Sequence, residues 1–248
     1  MKGKKPTLIT REAIREKRRR AQHRKRLMMV LVIVSLALIV TVLLILPTLN
    51  INNSQDEIIQ ITPVVRPLVD GRSMGDPDAP VIVEVFSDFQ CSACKIFAET
   101  IEPLISENHI ATGQVYLTFR HYPIMDARVS TKESNQAANA SLCAAEQNRF
   151  WDYHDILYAN FTGVNIGKFS DQRLIAYAET LQLDMQSFKS CFNENRYRTT
   201  IDNDITLGQE KNVKGTPSVF VNGVMITPGF VPSYQDVRKA IEDTLVLP

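Results

Sequence analysis

The feature that most constrains this chain is a pair of cysteines at the junction of two apolar patterns. Cys91 and Cys94 follow the β-rich run Val81–Phe86. After them, apolar side chains recur at helical spacing, at Phe97, Ile101, Leu104 and Ile105. This order predicts that Cys91 lies at the N-terminus of a helix that directly follows a buried strand. Because unpaired N–H groups and the helix dipole stabilise a thiolate there, the pair favours thiol–disulfide exchange.

Structural zinc sites use the same cysteine spacing and are the main alternative for this pair. Such a site needs four ligands, and the sequence contains no second cysteine pair at metal spacing. No His-x-x-x-His pattern is formed by the histidines that follow Cys94, which are His109, His121 and His154. We therefore predict a redox pair, with no metal and no other cofactor.

A second constraint is the run Leu27–Leu46, twenty residues without a charge. As a helix it would be about 30 Å long, the thickness of a hydrocarbon core. Residues 1–26 contain 12 Lys and Arg against 2 acidic residues, and no comparable cluster follows the run. The positive-inside rule therefore predicts a basic cytoplasmic arm over 1–26, a transmembrane anchor over 27–46 and an extracytoplasmic remainder. We interpret the arm as a topology signal with weak contact to anionic lipid, and not as a nucleic-acid-binding segment.

A cleaved signal peptide is the alternative to an anchor. Its apolar region is usually shorter, and no small-x-small cleavage motif lies near Pro47–Asn50. We therefore predict a single-pass protein of the cell membrane. All four cysteines follow the apolar run, which suits an oxidising compartment. Residues 47–75 are mostly polar and predict a linker, within which 61–65 is a candidate edge strand.

From residue 76 onward, strand and helix patterns alternate. The strand Val81–Phe86 leads into a helix from about Ser92 to Asn108, which Pro103 should kink because it removes a backbone hydrogen bond. Gln114–Arg120 alternates in polarity and predicts a second strand. A helical crossover between the two strands makes them parallel.

The second half of this domain begins with helices alone. Between about 131 and 208 the patterns predict five helices, over 137–146, 150–158, 171–181, 185–193 and 197–205. Ser218–Val221 and Val224–Ile226 then flank Asn222-Gly223, the strongest short hairpin signal. A closing helix begins at the N-cap residue Ser233. The order predicts an α/β domain over 76–248 with an all-helical insertion.

A third motif, Gly215-Thr216-Pro217, directly precedes the hairpin. A proline there cannot donate to the strand ladder and suits a turn or a cis peptide. With this motif, residues 75–245 resemble the DsbA-like disulfide oxidoreductases of the thioredoxin superfamily. The resemblance also rests on Gly75-Asp76-Pro77-x-Ala79-Pro80, Phe86-Ser87-Asp88-Phe89-Gln90-Cys91-x-x-Cys94, Phe119-Arg120-His121-Tyr122-Pro123 and Cys143-Ala144-Ala145-Glu146-Gln147.

The resemblance implies a thioredoxin-like fold with a helical insertion, and it implies roles for named residues. Cys91 would be the exposed attacking cysteine and Cys94 the buried resolving one. Thr216 and a cis Pro217 would face them, and the Thr216 backbone would align an extended substrate strand. The implied activity is disulfide formation in cysteine-containing exported proteins, after which a membrane redox partner reoxidises Cys91 and Cys94.

Two departures from the family pattern concern the tuning of the site. The family commonly has proline after the first cysteine, whereas this chain has Ser92-Ala93, which leaves the direction of electron flow open. The buried acid that relatives often carry six residues before the first cysteine is Val85 here. Glu84 is one position away and should face the other side of the sheet. Glu84 is either a sheet-edge or surface carboxylate or a proton relay, and Asp88 is the second candidate for that relay.

The remaining cysteines, Cys143 and Cys191, are 48 positions apart within the predicted insertion. Two cysteines in one exported subdomain more often pair than not, so we predict a structural disulfide. In the loop-entropy model such a disulfide stabilises the folded state by about 4 kcal/mol. The alternatives are two unpaired buried side chains or a regulatory second redox pair.

Other functions remain open for the whole domain. A reductase or isomerase, for instance in cytochrome maturation, would use the same cysteine pair with a more negative potential. A thioredoxin-fold copper carrier, or a docking module with an inert pair, would not be an enzyme at all.

Overall fold

The computed structural model describes residues 11–50, 57–128, 131–227 and 230–246. The chain divides into two units, Met1–Glu57 and Ile58–Pro248. In the first unit, helix α1 spans Arg11–Asn50. Its part from Arg15 to Val42 is long and apolar enough to cross a membrane, and its apolar side chains are exposed. The start of the predicted arm, residues 1–10, and part of the predicted linker, residues 51–56, lie outside the described residues.

The second unit is built on a mixed six-stranded sheet with the order β1-β2-β4-β3-β5-β6. The central strands β3 and β4 are parallel, as predicted, and every other neighbouring pair is antiparallel. The predicted edge strand at 61–65 is wrong, because the edge is formed further along the chain by β1 and β2. The strands are β1 Val69–Asp70, β2 Ser73–Met74, β3 Val81–Ser87, β4 Val115–His121, β5 Ser218–Val221 and β6 Val224–Ile226.

Helices connect and cover this sheet, and the five that separate β4 from β5 form the helical insertion. Where a kink was predicted at Pro103, the helix is instead broken: the helix that begins at Ser92 ends at Thr100, and a new one starts at Glu102. A short π-helix, Ser106–Ile110, and a 3-10 helix, Ile124–Arg128, flank β4. The α-helices are α2 Ser92–Thr100, α3 Glu102–Ile105, α4 Glu133–Ala145, α5 Phe150–Asn160, α6 Asp171–Thr180, α7 Met185–Asn193, α8 Arg198–Glu210 and α9 Tyr234–Val246.

The alternation of β3 separates two packed faces of the sheet. Val83 and Val85 are buried in the main core, where the parallel register pairs Val85 with Phe119. Phe86 points to the opposite face and packs against Phe220 in a second, smaller cluster. The two-residue period of the strand therefore decides which side chains of β3 can lie beside α2.

The segment before the sheet packs against the helices. The side chain of Asn160 accepts from the Ile59 N–H and donates to the Ile59 carbonyl, both at 2.9 Å. Arg66 makes a two-pronged ion pair with Asp155 at 2.8 and 2.9 Å and also contacts Glu102. This part of the predicted linker is therefore packed within the second unit.

Candidate active site

Cys91 and Cys94 are free thiols at the junction of β3 and α2, where the sequence pattern places them. Cys91 is the N-cap residue of α2, with an extended backbone, and its carbonyl accepts the first helical hydrogen bond from Lys95 at 3.0 Å. Both thiols are buried, Cys91 at 5 % exposed and Cys94 at 1 %, so Cys91 is not the exposed cysteine that the resemblance implies. The helix geometry directs N–H groups of Ala93 and Cys94 toward the Cys91 sulfur.

The two thiols differ sharply in acidity. A hydrogen bond from the Cys94 thiol lowers the pKa of Cys91 to about 6, and further hydrogen bonds from the Thr216 side chain, Cys94 N–H and Ala93 N–H help it to outweigh burial. Burial, and then the neighbouring Cys91 sulfur, raise the pKa of Cys94 well above the ordinary thiol value. The reduced pair therefore carries its negative charge on Cys91 and keeps its remaining proton on Cys94.

Thr216 lies against Cys91, and Pro217 directly follows it in the chain. The antiparallel register of β5 with β3 pairs Ser218 with Phe86 and so brings the preceding loop to the N-terminus of α2. The Thr216 carbonyl oxygen is 3.2 Å from Cys91 Sγ, and the Thr216–Pro217 peptide bond is cis. Residues 125 positions apart in sequence thus share one site.

Asp88 joins the active-site loop to the 3-10 helix that follows β4. Its carboxylate accepts the Gln90 N–H at 2.8 Å and the Met125 N–H at 2.9 Å, and its carbonyl accepts the Cys91 N–H at 3.0 Å. Burial raises the pKa of Asp88 to about 7, against the effect of these hydrogen bonds. Asp88 is thus a buried carboxyl group that positions the cysteine loop.

Glu84 lies on the other face of the sheet, as its strand position predicts. It forms ion pairs with Arg120, at 2.9 Å, and with Lys211. Burial alone would raise the pKa of Glu84, but Lys211 and then Arg120 hold it below its ordinary value. Of the two carboxylates considered for a proton relay, the structure brings Asp88 and not Glu84 to the cysteine loop.

Cys143 and Cys191 form a disulfide between α4 and α7, with a Cα–Cα distance of 5.7 Å. Both residues are fully buried within the helical insertion. The described residues contain no group of three or more His, Cys, Asp or Glu side chains that could hold a metal ion.

Sequence reasoning missed two residues beside Cys94. Ser87 ends β3, and its hydroxyl oxygen is 2.9 Å from the Tyr158 hydroxyl oxygen. The Tyr158 hydroxyl, in α5, also lies near the Asp88 carbonyl, at 3.4 Å. No local pattern predicts this contact, because it joins a strand end to a helix 71 positions later.

Comparison with known proteins gives relatives and solved structures with the same fold. The family model described as Thioredoxin matches residues 68–243. A relative from Bacillus cereus, a probable disulfide bond formation protein D, is 28 % identical over 176 residues, covering 70 % of this chain and 78 % of the relative. The oxidised BdbD structure from Bacillus subtilis aligns with a TM-score of 0.62 and 25 % identity, covering 75 % of this chain and 99 % of BdbD. DsbA from Chlamydia trachomatis supports the fold, with a TM-score of 0.60 and 23 % identity over 75 % of this chain and 98 % of its own.

A thioredoxin-like fold that presents a free Cys-x-x-Cys pair at a helix N-terminus defines a thiol:disulfide oxidoreductase. The chain belongs to the thioredoxin family, and within that superfamily it is a DsbA-like oxidoreductase. The predicted fold class and enzyme class are confirmed.

Proposed function

We propose that this enzyme is anchored in the cell membrane by α1 and forms disulfides in exported proteins through Cys91 and Cys94. The observation that carries the proposal is the opposite tuning of the two thiols. With its pKa lowered to about 6, Cys91 is about nine-tenths thiolate at pH 7. A stabilised thiolate favours the reduced form of the enzyme, so the oxidised form is a strong acceptor of electrons.

The reaction begins from the Cys91–Cys94 disulfide. A substrate thiolate attacks Cys91 Sγ, a bond forms between substrate and Cys91, and Cys94 leaves with the electron pair. A second substrate thiolate then attacks the substrate sulfur of this mixed disulfide, and Cys91 leaves as a thiolate. The substrate gains a disulfide, and the enzyme is left with two reduced cysteines. A membrane redox partner must accept these two electrons before the next cycle.

Thr216 and Pro217 complete the proposed site. The Thr216 carbonyl lies beside the sulfur that the substrate attacks, 3.2 Å from Cys91 Sγ. An extended substrate segment that pairs with the Thr216 backbone would therefore place its own cysteine next to Cys91. Main-chain pairing of this kind is independent of side-chain identity and suits an enzyme that acts on many exported proteins.

The proposed orientation rests on charge. Within the described part of α1, a dense basic cluster at Arg15–Arg26 precedes the exposed apolar stretch. Positive residues are retained on the cytoplasmic side, so Ile58–Pro248 would lie on the extracytoplasmic side of the membrane. The relatives named disulfide bond formation protein D support the direction of the reaction for this chain.

The reduction potential of the Cys91–Cys94 pair tests the proposed direction. Equilibration of the full chain with glutathione buffers should give a value clearly less negative than the roughly −270 mV of thioredoxin, toward the roughly −120 mV of strong oxidants. A value near the roughly −270 mV of thioredoxin would instead identify a reductase.

Trapping in cells tests the proposed roles of the two cysteines. The Cys94→Ser variant should accumulate mixed disulfides between Cys91 and exported proteins, whereas the Cys91→Ser variant should accumulate none. Equal trapping by both variants, or no trapping by either, would contradict the assignment of Cys91 as the attacked cysteine.

A further inference from the structure

Gln90, the residue directly before Cys91, connects the cysteine loop to the helical insertion. Gln90 is buried, and its side-chain oxygen accepts the Asn165 N–H at 2.8 Å. Asn165 lies in the segment 161–170, which joins α5 to α6. The two residues are 75 positions apart, so this contact brings a loop of the insertion to the residue that precedes the attacked cysteine.

The loop around Asn165 is held by further fixed contacts. Asn165 itself has a left-handed backbone, with φ at 54°. The buried carboxylate of Glu133, in the first turn of α4, accepts the Gly167 N–H at 3.0 Å and the Phe169 N–H at 2.9 Å. Gln90 and Glu133 therefore fix this loop from the side of the cysteines and from the side of the insertion.

Val164 and Ile166, on either side of Asn165, present apolar side chains to solvent. Their exposed fractions are 43 % and 59 %, whereas the backbone N–H of Asn165 between them faces Gln90. Residues 161–167 include no charged side chain. We call the exposed side chains of Val164 and Ile166 the apolar patch.

The apolar patch lies close to the sulfur that a substrate attacks. A glutamine side chain reaches about 5 Å from its Cα, and neighbouring Cα atoms are about 3.8 Å apart, so the Asn165 nitrogen is at most about 12 Å from the Cys91 Cα. A disulfide joins two sulfur atoms at about 2 Å, so a polypeptide bonded to Cys91 must pass close to this residue. In an extended chain with a rise of about 3.3 Å per residue, positions within about four residues of the reactive cysteine come within reach of the apolar patch.

Apolar contacts suit the chains that acquire disulfides. Cysteine is among the residue types most often buried in folded proteins, and a chain that has not yet folded leaves its apolar side chains exposed. Burying such side chains against Val164 and Ile166 is favourable, whereas a charged surface at this place would offer no such gain.

We propose that the apolar patch contacts apolar side chains flanking the reactive cysteine of an unfolded polypeptide substrate, and that Gln90 is the positioning residue that holds the patch beside Cys91. This inference rests on the proposed function, because it takes an exported polypeptide as the substrate. It adds a side-chain preference to the main-chain pairing at Thr216, and the exchange of sulfur bonds stays as described above.

Two dithiol peptides test the proposal. Both have the same sequence, except that two leucines within four positions of the first cysteine in the apolar peptide are serines in the polar peptide. Oxidised full-length enzyme is mixed with each peptide, and loss of the Cys91–Cys94 disulfide is followed by acid quenching and alkylation. Each rate is divided by the rate of the same variant with reduced glutathione, so that a general change at Cys91 cancels. We expect the unmodified enzyme to favour the apolar peptide about tenfold, since partial burial of two aliphatic side chains contributes about that factor.

Two variants should lose this preference. In Val164→Ser/Ile166→Ser the ratio of the two peptide rates should fall below about twofold, because the apolar contact area is removed. Gln90→Met keeps the side-chain volume but cannot accept the Asn165 N–H, so it should also lose most of the preference. A general loss of structure would slow both peptides alike, and the ratio therefore reports the position of the apolar patch.

Ile82→Ser/Val224→Ser is the matched control. These side chains are also apolar and exposed, at 47 % and 67 %. Ile82 lies near the start of β3, and the strand register places Val224 at the same end of the sheet, whereas the cysteines follow the opposite end of β3. This variant should keep the tenfold preference.

Equal rates for the two peptides in the unmodified enzyme, or a preference that survives Val164→Ser/Ile166→Ser, would overturn the proposal while leaving the proposed function intact. A preference that survives in Gln90→Met alone would overturn the positioning role of Gln90. Unchanged peptide rates with slower reoxidation of Val164→Ser/Ile166→Ser in native membranes would assign the apolar patch to the redox partner and overturn its role with substrate. Failure of the unmodified enzyme to oxidise either peptide would contradict the proposed function instead. If Gln90→Met does not fold, the exposed pair Val164 and Ile166 still decides the question, since changing these side chains leaves the core intact.

Discussion

The acidity of Cys91 should depend on its partner thiol. The Cys94 thiol is the strongest of the donors that lower the Cys91 pKa to about 6, ahead of Thr216 and the helix N–H groups. Replacing Cys94 by alanine removes this donor but leaves the helix and the Thr216 loop in place. The pKa of Cys91 should therefore rise.

The size of the rise follows from the energy of one charge-assisted hydrogen bond. Such a bond contributes about 1.5–3 kcal/mol, and one pKa unit corresponds to about 1.4 kcal/mol. The Cys91 pKa in Cys94→Ala should therefore lie at roughly 7–8. The thiolate fraction at pH 7 would fall from about nine-tenths to between roughly one half and one tenth.

The assay follows thiolate absorbance in the ultraviolet, or the rate of Cys91 alkylation, across a pH titration of the full chain. Cys143 and Cys191 form a disulfide and do not contribute to the signal. Cys94→Ser is the matched control, because its hydroxyl still donates toward Cys91 and should keep the pKa nearer to that of the unmodified enzyme. A Cys91 pKa that stays at about 6 in Cys94→Ala would refute the reasoning and assign the acidity to the helix N-terminus and the Thr216 loop.

Further predictions concern stability. Arg66→Ala should lower the free energy of unfolding by roughly 3–5 kcal/mol in urea titrations, because it leaves buried carboxylates without their cation. The exposed Arg196→Ala should cost far less, and equal losses would contradict this difference in burial. The double variant Cys143→Ala/Cys191→Ala should lose about 4 kcal/mol in the same titration and keep the Cys91–Cys94 reduction potential, and a shifted potential would show coupling between the two pairs. The pKa of Asp88 is raised to about 7 in the folded chain, so the folded state holds this proton more tightly and the free energy of unfolding should fall as pH rises from about 4 to 7. Asp88→Asn should remove that component of the pH dependence, and an unchanged slope would argue against a buried, protonated Asp88.

Local patterns were enough to predict most of the elements that surround the cysteines. The apolar run before Cys91 and the helical spacing after Cys94 depend on neighbours within a few positions, and the structure places β3 and α2 there. Asn222-Gly223 marks the hairpin of β5 and β6 for the same reason. The inference that Glu84 faces away from the α2 side of the sheet also needed only the two-residue period of a strand.

The edge of the sheet shows where local patterns fail. Residues 61–65 contain β-branched side chains, yet the edge strands are Val69–Asp70 and Ser73–Met74. Each is two residues long, too short to show a period, and each exists because its neighbouring strand offers free backbone groups. The packed position of the preceding segment is likewise set by distant partners, through Asn160.

What the sequence by itself determined is therefore the cysteine pair, its position at a helix N-terminus and the helical insertion, since each is encoded by residues close together in the chain. Only the tertiary structure decided what surrounds the two sulfur atoms. The Thr216 carbonyl reaches Cys91 because β5 pairs with β3. Tyr158 reaches Ser87 because α5 packs behind the end of that strand. These contacts span 125 and 71 positions, and such separations leave no periodic trace in a single sequence.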